Sequence, residues 1–144
     1  MVNKNIVIFG SSSEFATEFI KLCNKNNLNL FLISRSHIHS DLKKNVLVVN
    51  DYLKEFDKIK KFLIPVENKF VFFFNGALFE NRPDRFPSKE EIKQTEYINY
   101  YLPLELTRKL KKEIKQINKF IYISSMAAVK PRYKNFIYGN NKKK

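Results

Sequence analysis

Short apolar runs of strand length alternate along this chain with longer stretches in which apolar residues return at helical spacing. That alternation is the pattern of a parallel sheet covered by helices, because each return to a parallel neighbour needs a crossover long enough to hold a helix. Asn5–Phe9 reads as the first strand, and Glu14–Asn24 as a helix with Phe15, Phe19, Ile20 and Cys23 on one face. Leu28–Ser34 is a second strand and Asn45–Val49 a third; Leu53–Leu63 is a helix with Phe56, Ile59, Lys60 and Leu63 falling one turn apart. Phe70–Phe74 is the most hydrophobic strand, expected at the centre of the sheet with both faces buried. Ser88 with Glu91 three residues on reads as a capping box. It opens a helical region to about Ile117 that Pro103 is expected to break or bend. Lys119–Ser124 is the fifth strand. The right-handed crossover rule leaves few topologies, and the expected one is a doubly wound sheet in the order 3-2-1-4-5.

At 144 residues and 44% hydrophobic, the chain can bury one core and is read as a single domain. Met1 to Gly10 runs straight into a strand, with no charged region, long apolar stretch or cleavage site of a signal peptide. No apolar run is long enough to cross a bilayer. A lone Cys23 can form neither an internal disulfide nor a cysteine metal cluster, so the expected location is cytoplasmic. A net charge of +13 raises the question of a nucleic-acid or anionic-membrane partner. The lysines, however, are spread over the whole length. The densest stretch, Arg108 to Lys115, has its apolar residues at helical spacing and reads as a solvated helix face. No nucleic acid and no membrane is therefore expected as a partner. His37 and His39 read as surface residues, and no metal site is expected.

Four segments carry chemistry. In the first, Ile6 to Phe9 is followed by Gly10, Ser11, Ser12, Ser13, Glu14, Phe15 and Ala16: a strand, a glycine with small hydroxylated residues, then a helix. Such a turn lets the backbone approach a pyrophosphate at a helix N-terminus, the Rossmann arrangement, or it is an ordinary strand-to-helix turn. In the second, the second strand ends in Ser34 followed by Arg35 and Ser36. An acidic residue here would hold the ribose of NAD, whereas Arg35 suits the extra phosphate of NADP. The third, Asn75-Gly76-Ala77, ends the central strand in small residues, as a ligand crevice or a plain turn would need. The fourth is Ser124-Ser125 followed by Tyr138 and Lys142. Four apart on a helix, these two share a face, so the ammonium can lower the phenol's pKa from its ordinary value of about 10. In a chain so rich in lysine, about one such pair arises by chance, and the order of the segments is what counts.

In that order the sequence resembles the short-chain dehydrogenase/reductase family over nearly its whole length. Gly10 to Ala16 resembles the family's glycine-rich turn, with Glu14 and Ala16 in place of two glycines. Asp51, beside Tyr52, matches the aspartate used near the adenine ring, and Asn75-Gly76-Ala77 resembles the Asn-Ala-Gly motif with two residues exchanged. Asn99 falls where the catalytic asparagine sits, and Ser125 precedes Tyr138 by the family's spacing, which Ser124 does not.

The resemblance implies an NADP-dependent oxidoreductase, with NADP favoured over NAD, acting on a small-molecule carbonyl or alcohol. Gly10, Ser12, Ser13, Phe15, Arg35, Ser36, Asp51, Tyr52, Asn75, Gly76 and Ala77 would bind the cofactor. Tyr138 would be the proton donor, Ser125 would hydrogen-bond the substrate oxygen, Lys142 would bind the nicotinamide ribose, and Asn99 would hold a water leading to Lys142. The family's later strands, substrate loop and last cofactor contact would lie beyond Lys144, so the chain is expected to be C-terminally truncated and its longer form a homo-oligomer. The lysine run at its end is consistent with a frameshift. A non-catalytic dinucleotide-binding domain, or an inactive remnant, is the competing reading.

Overall fold

The computed structural model describes residues 4–36, 45–79, 85–130 and 136–144. Residues 37–44, which include His37 and His39, lie outside that description. The chain divides into two compact units, Met1–Phe74 with Leu106–Tyr122, and Asn75–Glu105 with Ile123–Lys144.

The first unit holds a five-stranded, wholly parallel sheet in the order β3-β2-β1-β4-β5, as the sequence predicts. The strands are β1 (Asn5–Phe9), β2 (Asn29–Ser34), β3 (Val46–Val48), β4 (Lys69–Phe73) and β5 (Ile117–Tyr122). β1 pairs residue for residue with both neighbours, from Asn5 opposite Asn29 and Lys69 to Phe9 opposite Ile33 and Phe73. Successive side chains point to opposite faces. Ile6 and Ile8 pack with Leu30, Leu32 and the inner face of α1 (Glu14–Lys25), namely Ala16, Ile20 and Cys23. Phe9 meets the edge of Tyr52 and stacks on Phe73 at 5.2 Å, while Phe31 meets Phe62 of α2 (Phe56–Leu63). Fully burying side chains such as Ile8, Phe9 and Ile33 stabilises by about 1.5–3 kcal/mol each. β4 lies inside the sheet, but of its apolar residues only Val71 and Phe73 are buried; Phe70, Phe72 and the following Phe74 stay half-buried beside α1. β5 pairs with β4 alone and is an edge.

Helix starts and strand starts moved where a polar group captured the backbone. α2 begins at Phe56 rather than Leu53, because the Asp51 carboxylate accepts the N–H groups of Leu53 and Lys54 at 2.8 and 2.9 Å and holds residues 52–55 in turns. Three chain reversals enter their strands through left-handed residues that are not glycine: Asn27 (φ 53°), Asn68 (φ 46°) and Gln116 (φ 60°). Gln116 ends the helical region earlier than the apolar spacing of Ile114 and Ile117 suggests, so that Ile117 opens β5.

The second unit contains α3 (Lys89–Glu96), a π turn (Tyr97–Tyr101), the start of α4 (Leu102–Glu113), a 3-10 turn (Met126–Ala128) and α5 (Phe136–Lys143). The capping box forms: the Ser88 hydroxyl accepts the Glu91 N–H at 3.2 Å, and the Glu91 carboxylate accepts the Ser88 N–H at 2.9 Å. Pro103 does not break the helix. Proline has no N–H for the Asn99 carbonyl and its ring would crowd that carbonyl in α geometry. The π turn takes up the misfit, with the Leu102 N–H reaching the Tyr97 carbonyl five residues back.

One buried charge in the first unit has no catalytic neighbour. Lys69 is only 1% exposed, its ammonium donates to the Val66 carbonyl, and burial pushes its pKa below the ordinary lysine value against the opposing pull of Glu67. A lysine whose folded-state pKa is depressed binds its proton more weakly folded than unfolded. Stability therefore rises with pH from the folded-state pKa up to the unfolded value and is flat above it. Lys69→Met is expected to stabilise the chain at pH 7 by on the order of 1 kcal/mol. The advantage should shrink as the pH is raised toward 10, read from urea unfolding of both proteins across that range.

Candidate active site

In the first unit the singled-out residues gather where the parallel strands end. Gly10 follows β1 with φ 74°, a left-handed conformation that glycine adopts without strain. Its carbonyl accepts the Ser13 N–H at 3.1 Å, closing the turn. Ser13 then caps α1, its hydroxyl accepting the Ala16 N–H at 3.2 Å. Ser12 is exposed, and Phe15 is 80% exposed, so a residue expected on the inner face of α1 projects to solvent instead. The reason is that Ala16 and Ile20 already fill that face. Glu14 stands exposed in the first turn of α1, a favourable place for a carboxylate beside the helix N-terminus but one that opposes a second anion there.

Arg35 and Ser36 follow β2, both exposed, and Arg35 makes no ion pair with any described residue. The Ser34 hydroxyl is buried and donates to the Ser36 carbonyl, which fixes the turn that presents Arg35. Asp51 follows β3, with one oxygen committed to the turn described above. The Tyr52 ring is buried against Phe9, so its side chain is a core group.

The second unit brings together Asn75, Gly76, Ala77, Asn99, Ser125, Tyr138 and Lys142. Buried Asn99 grips Ala77 from both sides: its amide donates to the Ala77 carbonyl at 2.8 Å and its oxygen accepts the Ala77 N–H at 3.3 Å. A further bond runs from the same amide to the Thr95 carbonyl at 2.8 Å. The side chain is thus fully engaged with protein, which was not legible from sequence. Lys142 donates to the carbonyls of Asn75 and Ile123, each at 3.2 Å, and lies 5.8 Å from the centre of the Tyr138 ring. Burial holds the Lys142 pKa below the ordinary value. The Ser125 oxygen accepts the Ala127 N–H at 3.2 Å, capping the 3-10 turn, and among the described residues no acceptor takes its own O–H. Ser124 is exposed and makes no such cap.

Two residues escaped the sequence reading. Gly139 lies in direct contact with Ala127, and Ile123 lends its carbonyl to Lys142. A glycine directly after Tyr138, inside a helix, was the available signal for the first; a backbone carbonyl leaves none for the second.

The same fold recurs in solved proteins. A short-chain dehydrogenase/reductase from Burkholderia vietnamiensis superposes with a TM-score of 0.78 at 14% identity, over 98% of this chain and 72% of that one. The fold is that of the short-chain dehydrogenases/reductases. An oxidoreductase of that family from Brucella ovis, in complex with a partially ordered NAD, gives a TM-score of 0.76 at 16% identity, over 98% of this chain and 72% of that one. A variant of ElxO with NADPH bound gives 0.71 at 15% identity, over 99% and 63%. This chain therefore spans 63–72% of these three proteins. No protein-family model and no curated protein matches its sequence. No helix among the described residues is long and apolar enough to cross a membrane.

Within the short-chain dehydrogenase/reductase fold, the Asn99 side chain holds both backbone groups of Ala77. Asn99→Ala removes both partners of the Ala77 backbone and is expected to destabilise by about 1–3 kcal/mol, with a matching fall in the urea midpoint.

Proposed function

We propose that the chain is the cofactor-binding and catalytic part of an NADP-dependent oxidoreductase, interconverting a carbonyl and an alcohol on a small molecule. The observation that carries the reading is the anchoring of Lys142 by two backbone carbonyls, one helical turn beyond Tyr138 on α5. A chance Tyr-x-x-x-Lys pair has no reason to be so held.

The residues fit a dinucleotide in three respects. Gly10 adopts the left-handed turn that lets backbone approach a phosphate. The Ser11 hydroxyl and the Asn75 side-chain oxygen are buried with no hydrogen-bond partner among the described residues. Arg35 offers a guanidinium after β2 that makes no ion pair among the described residues. In this reading Gly10, Ser12, Ser13 and Phe15 hold the phosphates, Arg35 and Ser36 the ribose phosphate, Asp51 and the Tyr52 backbone the adenine, and Asn75, Gly76 and Ala77 the remaining ribose. NADP would supply or accept the hydride. Tyr138 gives its hydroxyl proton to the substrate oxygen, and Ser125 hydrogen-bonds that same oxygen. Lys142 stands behind Tyr138 as a fixed positive charge. Proline at 103 deprives the Asn99 carbonyl of its usual helical donor, so this carbonyl, rather than the occupied side chain, is the group to hold a water on the way to Lys142. The reading includes a cytoplasmic protein that needs no metal and, in a longer form, self-associates.

A second reading, a dinucleotide-binding domain without turnover, is favoured by Glu14, whose carboxylate stands where the family's turn has glycine.

NADPH is expected to bind about tenfold more tightly than NADH, and Arg35→Ala to remove most of that difference, as measured by quenching or enhancement of cofactor fluorescence. Equal affinities in the unaltered protein would refute the choice of NADP. Tyr138→Phe should lower turnover of carbonyl substrates by about 10²–10⁴-fold while leaving NADPH affinity intact. Cofactor binding with no turnover in the unaltered chain would favour the second reading.

A further inference from the structure

Glycine inside a helix costs about 1 kcal/mol relative to alanine, so an interior glycine needs a reason. Gly139 sits in the middle of α5, directly after Tyr138, and its backbone is not left-handed. Conformational freedom is therefore not the reason; proximity is. A Cβ placed on Gly139 would lie 2.4 Å from the Ala127 carbonyl oxygen and 3.0 Å from the Ala127 carbonyl carbon. Both atoms are backbone and cannot rotate aside. An ordinary contact would require the two segments to separate by about 1 Å.

The carbonyl that Gly139 touches belongs to the residue that fixes Ser125. Ala127 is buried in the 3-10 turn, and its N–H is the donor that the Ser125 oxygen accepts. A short mechanical path thus runs from Tyr138 to Gly139, across a backbone contact to Ala127, and through one hydrogen bond to Ser125. Lys142 is held by other groups, the carbonyls of Asn75 and Ile123. We propose that Gly139 and Ala127 form a spacer that sets the separation of the Ser125 and Tyr138 hydroxyls, which makes Gly139 a positioning residue. This rests on the reading that Ser125 and Tyr138 act on one substrate oxygen.

The spacer and simple helix propensity make opposite forecasts for Gly139→Ala. Propensity alone would leave turnover unchanged and raise stability. The spacer pushes α5 away from the 3-10 turn, and a displacement of about 1 Å at a reacting centre lowers kcat by about 100-fold. NADPH affinity should stay within about twofold, and Asn140→Ala, at the neighbouring exposed position of the same helix, should change neither quantity. Turnover of Gly139→Ala within about twofold of the unaltered chain would overturn the spacer.

An NMR arm separates failure of the spacer from failure of the enzyme reading. If the unaltered chain turns over no carbonyl substrate, the spacer is judged from spectra alone. It predicts a nuclear Overhauser contact between the Gly139 α-protons and Ala127, and displaced Ser125 and Tyr138 resonances in Gly139→Ala. Unmoved resonances would refute it. Should Gly139→Ala fail to fold, absence of the Gly139–Ala127 contact in the unaltered protein would refute it equally.

Discussion

Everything in the sheet unit takes its place from β1, the strand that is hydrogen-bonded on both edges and covered on both faces. Its five residues pair in unbroken register with β2 and β4, and Val7, Ile8 and Phe9 are completely buried. A slip of one residue on either side would turn a phenylalanine or isoleucine from one packed face to the other. Because the pairing is parallel, the strands finish at a common edge, and the residues that follow them there cannot be moved one at a time. The turn at Gly10, the exposed Arg35 and the Asp51 turn are products of that single constraint before they are parts of any site.

The other unit is organised differently. Its described residues form no strand, and its irregular segments are held by polar side chains that reach for backbone groups. Asn99 grips Ala77, Lys142 ties Asn75 to Ile123, and Ser125 closes the 3-10 turn. Loops that leave water must satisfy their N–H and C=O groups in some way, and here the residues proposed for chemistry also do that work. Lys144 adds a clamp at the end of α5, pairing with Glu96 at 2.6 Å and lying over the Tyr100 ring. A substitution at Asn99 or Lys142 therefore removes a support of this unit's backbone as well as a group proposed for chemistry.

The sheet order and the boundaries of β1 were legible because a period of two or 3.6 in apolar residues is written in the sequence itself. The start of α2 was not, since a carboxylate at Asp51 competes for the N–H groups that would have begun the helix. Pro103 announced a disturbance, but whether a helix breaks or widens depends on the turn before it, which propensity does not encode. Phe15 was assigned to a buried face by spacing and is exposed, because a small residue, Ala16, fills the position nearest the sheet. In the candidate site, residue types were legible and partners were not. Asn99 could be singled out by its place in order, but its bonds to Ala77 and Thr95 depend on a fold that brings together residues distant in sequence. Lys69, a charge inside a central strand, contradicts every local rule and could not have been foreseen.

The chain has only three glycines: Gly10 in the turn after β1, Gly76 beside Asn99, and Gly139 directly after Tyr138. The opposite edge of the sheet is entered through Asn27, Asn68 and Gln116, side chains held in a conformation that favours glycine. Asparagine tolerates that region better than most residues, so these turns can do without glycine at little cost. Gly139 is different, because a side chain there would meet the Ala127 carbonyl.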